Sequence, residues 1–271
     1  CMTNSNNLID SLEVYVLNNP HETKPHWVSH FIVPTANELL IKIKNKDGNS
    51  GFGMATSYTD ITPIIKPFSN GLENFIIGED PFCPEKIYEK IFKLTDTRIS
   101  SEKGWSKESL IRISAALDIA CWDLIGKSSK TPLYKLFGGY RNKVPVYVTC
   151  GYYRDDKGES ELREELKKLI QIGHQSFKVK VGGLSIKEDS KRLEIIRDEI
   201  GLEKDLMIDV NRAWDLKTAI QGVKEFEKFK PSWIEEPLRW EDDRRTLKLL
   251  SKQTNVPLSA GESETTSYGC R

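Results

Sequence analysis

From position 144 onward the chain repeats one short pattern, and that repetition limits the fold more than any other feature. Strand-like runs at 144–150, 176–181, 206–210, 232–235 and 257–260 alternate with amphipathic helical stretches at about 160–172, 186–200, 216–229 and 242–253. Strands separated by helices predict a parallel sheet covered by helices. Ionisable residues recur at the C-terminal ends of these strands: Lys178 and Lys180 in SFKVKVGG, Asp209 and Asn211 in MIDVNRAWD, Glu235 and Glu236 in WIEEPL, and Glu262 in LSAGESE. Lys180, Asp209, Glu235 and Glu262 follow one another at intervals of 29, 26 and 27 residues. Each interval is one strand-plus-helix unit, so the four side chains are expected on one rim, where (β/α)₈ barrels carry their active sites.

Three carboxylates brought together from three strands repel one another unless a divalent cation compensates them. An all-oxygen donor set with room for water and substrate suits magnesium; zinc would call for histidine or thiolate. The plainer reading is a solvated acidic rim, and the regular spacing at strand ends speaks against it. Lys178 and Lys180 are two residues apart in a strand and so face the same side. Phe177, Val179 and Val181 occupy the other face, which is expected to pack against helices. Two ammonium groups held close in a barrel interior would lower each other's pKa, as a general base requires.

The first half reads differently. Apolar and polar residues alternate over 12–16 and 38–44, and the turn Lys46-Asp47-Gly48-Asn49-Ser50 leads into Gly51-Phe52-Gly53, a hairpin signal. A helix is expected over 84–94, opened by Pro84 with Ile87, Ile91 and Leu94 on one stripe. A second, apolar on most sides and so expected to be a buried helix, is placed over 109–126, with Ala115, Ala116 and Ala120 allowing close packing and Gly126 closing it. A short helix over 132–137 ends at Gly138-Gly139. The sequence thus divides into an α+β part over 1–143 and a strand–helix part over 144–271.

Forty basic residues balance forty acidic ones, so no bulk field points to nucleic acid or to a membrane surface. No apolar run is long enough to span a bilayer and no signal peptide is evident, which makes a cytoplasmic location the expectation. The five cysteines, Cys1, Cys83, Cys121, Cys150 and Cys270, are scattered and odd in number, arguing for incidental or buried thiols over a disulfide framework or a zinc site.

Lys-x-Lys, Asp-x-Asn, Glu-Glu-Pro and Gly-Glu on successive strands resemble the enolase superfamily, in its mandelate racemase subgroup. The stretch AALDIACWDLIGKSSKTPLYKLFGG is similar to that family's junction between capping domain and barrel. The resemblance covers most of residues 10–270 and implies an α+β capping domain followed by a (β/α)₈ TIM-type barrel. It implies Mg²⁺ bound by Asp209, Glu235 and Glu262, and Lys180 as the acid/base that moves the proton α to a carboxylate. Lys178 would hold the substrate carboxylate, and the metal would stabilise an enediolate. Asn211 is a candidate near metal or substrate, whereas Glu236 is expected to be structural. Glu262, where cycloisomerase and dipeptide-epimerase relatives resemble Asp, favours the mandelate racemase branch. There the expected reaction is dehydration of an acid sugar, with racemisation, epimerisation or cycloisomerisation as the alternative. A small carboxylate is the expected partner, and the full-length protein is expected to be a homo-oligomer.

His21, His26, His30 and His174 are the histidines. The segment 18–31 falls where the family's specificity loop sits, making His26 and Trp27 candidate substrate contacts beside the alternative of a solvated loop. Tyr152, with Tyr153 and Arg154, follows the first barrel strand and is a further candidate. His174 and Trp105 are expected to be structural. The residues from 144 to the end number 128, about half of the ~250 a full barrel needs. The expectation is therefore a barrel truncated after about five strands, lacking the family's later His–Asp pair, and a sequence opened by Cys1 before Met2 that is incomplete. A non-catalytic or inactive truncated barrel protein remains the alternative of another class.

Overall fold

The computed structural model describes residues 6–20, 25–33, 35–57, 60–241, 244–267 and 269–270. Cys1 and His21, singled out above, lie outside the described residues. The chain forms two compact units, one from Cys1–His21 and Pro34–Val144, the other from Glu22–Val33 and Pro145–Arg271.

In the first unit, β1 (Ile9–Pro20) pairs antiparallel with β4 (Thr35–Asn45), which pairs antiparallel with β5 (Ser50–Ser57) across the expected hairpin turn. The short strands β2 (His26–Trp27) and β3 (Ile32–Val33) intervene in sequence and pair with each other. Period-two alternation sends Leu39, Ile41 and Ile43 of β4 into the core, all three fully buried. They meet helix α4 (Lys107–Ser128), capped by the Ser106 hydroxyl, and helix α2 (Pro84–Lys93), which contributes Ile87 and Ile91. Between them in the chain lies α3 (Arg98–Lys103), and before α2 comes α1 (Thr62–Ser69).

Two expectations for α4 need correction. It is not closed by Gly126 but runs on to Ser128. Gly126 instead makes room for the following turn: a Cβ there would come 3.2 Å from Leu133 Cδ2. Nor is the helix buried all round, since Ala115 and Ile119 are exposed while Ala116 and Ala120 face the sheet. Helix α5 (Leu133–Leu136) ends this unit.

The second unit is a five-stranded parallel sheet in the order β10-β9-β8-β7-β6. Its strands are β6 (Val148–Cys150), β7 (Ser176–Lys180), β8 (Asp205–Asp209), β9 (Trp233–Glu235) and β10 (Leu258–Ser259). The helices α6 (Glu159–Ile172), α7 (Ile186–Ile200), α8 (Leu216–Phe226) and α9 (Arg244–Leu250) alternate with them. The expected start of the last helix at Asp242 lies outside the described residues. Phe177, Val179, Leu206, Ile208 and Ile234 point to the helices and are fully buried with Leu166, Leu193, Val223 and Phe226. That leaves the opposite face of the same strands to the lysines and carboxylates.

The strand expected at 144–150 is confined to its last three residues. Val144 and Val146 are each 72% exposed, and Pro145 between them has no N–H for a ladder. Among the described residues no helix is long and apolar enough to cross a membrane, and Cys83, Cys121, Cys150 and Cys270 are free thiols.

Candidate metal centre

Strand register brings the ionisable residues side by side. Lys180 is opposite Asp209 in the β7–β8 ladder, Asp209 opposite Glu235 in β8–β9, and Glu235 opposite Ser259 in β9–β10. Parallel neighbours lie ~4.8 Å apart, so residues in register at strand ends form a row. Glu262, three residues beyond Ser259, completes it: one carboxylate oxygen from each of Asp209, Glu235 and Glu262 lies within 4.8 Å of the other two.

Burial is graded across the three, with Asp209 fully buried, Glu235 half-buried and Glu262 exposed. Lys180 Nζ donates to Asp209 Oδ2 at 2.6 Å, and Lys178 Nζ donates to both oxygens of Glu235 at 3.0 Å. Lys178 Nζ is also 3.5 Å from Asp209 Oδ2. The backbone N–H of Asn211 donates to Asp209 Oδ1 at 3.0 Å. Both lysines are more than nine-tenths buried, with exposures of 8% and 7%.

The expectation that the two lysines lower each other's pKa is not met at Lys178. Burial pulls its value down, but the hydrogen bond to Glu235 and the charges of Asp209 and Glu235 more than offset this, so it stands above the ordinary lysine range. Each ammonium has a carboxylate partner at hydrogen-bonding distance.

The donor set fits a hard divalent cation. It is all oxygen, converges from three strands, and carries three negative charges against two ammonium groups. In the same strand-end segment the side-chain Oδ1 of Asn211, a residue only 4% exposed, is a buried acceptor without a hydrogen-bond partner.

The remaining candidates separate. The Tyr152 ring sits with Lys180 Nζ 5.3 Å from its centroid, and its hydroxyl is held above the usual tyrosine range by burial and then by the charge of Asp209. His26 lies against Tyr152 at 5.7 Å between ring centroids. Trp27 is turned elsewhere: it stacks on Tyr153 at 4.4 Å and donates its indole N–H to Asp155 at 3.2 Å. Trp27 and Tyr153 also exchange backbone hydrogen bonds of 3.0 and 3.2 Å, which fixes segment 26–33 to the second unit. His174 follows the end of α6, and Trp105 is buried in the first unit's core.

Sequence reading missed the support under this rim. Asp189, fully buried in α7, accepts from the Tyr153 hydroxyl at 2.6 Å and from Gly182 N at 2.7 Å. Arg192, one turn on, donates to the carbonyls of Gly151 and Lys180 at 2.8 and 3.2 Å. The available signal was a helix placing Asp189 and Arg192 three apart, on one face with Leu193 and Ile196.

Comparison with known proteins gives the same frame. Residues 11–138 match the model of the mandelate racemase/muconate lactonizing enzyme N-terminal domain, and residues 161–271 match that of the enolase C-terminal domain-like family. The chain is 30% identical over 230 residues to an arabinonate dehydratase of Saccharolobus solfataricus, covering 85% of this chain and 60% of that protein. It is 32% identical over 248 residues to an L-Ala-D/L-Glu epimerase of Clostridium acetobutylicum, covering 89% and 64%. A crystal structure of L-talarate/galactarate dehydratase from Salmonella typhimurium, liganded with Mg and L-lyxarohydroxamate, superposes with a TM-score of 0.84 at 27% identity, covering 97% of this chain and 66% of that one. The chain thus spans about six-tenths of the length of the curated relatives it matches.

Proposed function

The chain belongs to the mandelate racemase/muconate lactonizing enzyme family of the enolase superfamily, and from that premise we propose that it carries the metal-binding and proton-abstracting part of a magnesium-dependent enzyme acting next to a carboxylate. The reaction is dehydration of an acid sugar, in which the α-proton is removed and the β-hydroxyl leaves as water. Residues 1–143 act as the capping domain and 144–271 carry the site. The observation that supports this reading most is the row of three convergent carboxylates with a lysine ammonium 2.6 Å from the deepest of them.

Asp209, Glu235 and Glu262 would hold a magnesium ion, which would supply Lewis-acid stabilisation of negative charge on the substrate carboxylate. Lys178 neutralises and orients that carboxylate from the same face of β7. Lys180 Nζ, shielded from water and next to Tyr152, takes up the α-proton as the neutral amine and so becomes the ammonium. Asn211 offers its unpartnered side-chain Oδ1 to a substrate hydroxyl, which donates to it. Dehydration is preferred because acid-sugar dehydratases recur among the relatives, including an L-talarate/galactarate and a D-gluconate/D-galactonate dehydratase. Epimerisation is the second reading, favoured by the likeness to the dipeptide epimerase; both begin with the same proton transfer.

The test is exchange of the α-hydrogen of acid sugars in deuterated solvent, followed by NMR. Magnesium-dependent exchange that disappears in Lys180→Ala is expected. Exchange that persists in Lys180→Ala contradicts the assignment of the base; no exchange with any acid sugar contradicts dehydration and favours epimerisation of another carboxylate or a non-catalytic protein.

A further inference from the structure

The residues that follow the three ligand-bearing strand ends are joined to one another. Arg212 comes three positions after Asp209, Glu236 directly after Glu235, and Ser263 directly after Glu262. The Ser263 hydroxyl accepts from Arg212 Nη1 at 2.5 Å and from Trp240 Nε1 at 3.0 Å, and donates to Glu236 Oε1 at 3.4 Å. Those contacts use the full capacity of a hydroxyl, one donor and two acceptor lone pairs. The Arg212 guanidinium lies over the Trp240 ring, 4.3 Å from its centroid, with its Nε 3.5 Å from Glu236 Oε2. The Arg212 and Glu236 side chains are only 17% and 5% exposed, so this is not a solvated surface pair.

The backbone underneath is unusual. Asn211, Arg212 and Glu236 have φ of +47°, +64° and +42°, three of the five non-glycine residues with positive φ among the described residues. L residues adopt this conformation only at a steric cost, and it persists where its surroundings over-determine it. Here the two stretches hold each other: Arg212 N donates to Glu236 O at 2.7 Å, and Glu236 N to Ser259 O at 2.8 Å. Glu262 needs this support most. Asp209 and Glu235 are fixed by ladder pairs, whereas Glu262 lies beyond the two-residue β10 and past Gly261, whose φ is +121°.

We propose that Arg212, Glu236, Trp240 and Ser263 form a clamp that sets the spacing of Asp209, Glu235 and Glu262, with Ser263 tethering Glu262. The proposal rests on the metal reading given above. These are positioning residues, since the clamp bonds neighbours of the ligands and leaves the three ligand carboxylates free.

Titration calorimetry of the intact chain with Mg²⁺ tests it, alongside thermal unfolding in chelator. Arg212→Met and Ser263→Ala are expected to weaken Mg²⁺ binding about 10- to 100-fold, the range typical for residues that hold metal ligands in place. Ser263→Thr, which keeps the hydroxyl, should restore most of that loss, and its midpoint in chelator should stay close to wild type. Mg²⁺ affinity within about twofold of wild type in both loss variants overturns the clamp. So does a loss that only tracks a lower midpoint in chelator and is not restored by Ser263→Thr. If the wild-type chain itself binds no Mg²⁺, the metal reading fails and the clamp with it.

Discussion

The Tyr153 hydroxyl sits where three stretches of chain meet: it donates to Asp189, accepts from Gly183 N at 3.2 Å, and its ring carries Trp27. Tyr153→Phe keeps the ring and removes the donor to a buried carboxylate. The expected loss is about 1.5–3 kcal/mol, the range for a hydrogen bond to a charged group, read by urea unfolding; no loss would show the bond to be incidental. Burial, and then the charge of Asp189, keep this hydroxyl protonated well above the usual tyrosine range. Its folded pKa is raised, so its contribution is intact below pH ~10, where an unfolded tyrosine titrates, and is lost as pH rises further. At this scale the sequence was legible where a residue type, a strand end and a period coincide, as at Lys180, Asp209 and Glu235. It was illegible where function depends on partners distant in sequence. Tyr153 and Trp27 lie 126 positions apart, and nothing in either segment announces that their rings stack. The raised pKa of Lys178 is hidden from sequence for the same reason: along the strand its same-face partner is Lys180, while its neighbours in space include the carboxylates of Glu235 and Asp209.

Between β5 and α4 the fold depends on missing side chains. A Cβ on Gly53 would lie 1.8 Å from Ala116 O, and one on Gly51 would lie 2.0 Å from Ala120 O. Both contacts are with backbone, so no rotamer change relieves them. Gly53→Ala is expected to cost more than about 2 kcal/mol in guanidinium unfolding, at the upper end for overpacking. Gly48→Ala, at a turn glycine with φ +84° and open space around it, should cost only on the order of 1 kcal/mol. Equal effects would show that helix–sheet contact is not what these glycines serve. Helices and hairpin were readable here because patterning and turn chemistry agree, as in Lys46-Asp47-Gly48-Asn49. The run 144–150 misled because alternating valines suggest a strand, while Pro145 denies the ladder a donor.

Across the whole molecule, two cores divide the work. One is built on Leu39, Ile41 and Ile43, the other on Phe177, Val179 and Ile208. The second sets Lys178, Lys180 and Asp209 on one buried face of its sheet, and that made the candidate site visible from sequence: apolar residues alternate with Lys178 and Lys180, and carboxylates recur once per strand–helix unit. The clamp residues were not visible this way, since Arg212 and Ser263 belong to no alternation. The central claim is that Asp209, Glu235 and Glu262 hold a divalent cation, and Mg²⁺-dependent stabilisation of the chain tests it most directly. A ligand bound to the folded state alone stabilises by about 2.7 kcal/mol at a hundredfold excess over Kd. Thermal unfolding should therefore move upward with Mg²⁺ in the wild-type chain and stay put in Asp209→Asn and Glu235→Gln. An unfolding midpoint indifferent to Mg²⁺ in the wild type, or a shift that survives both substitutions, would contradict the account.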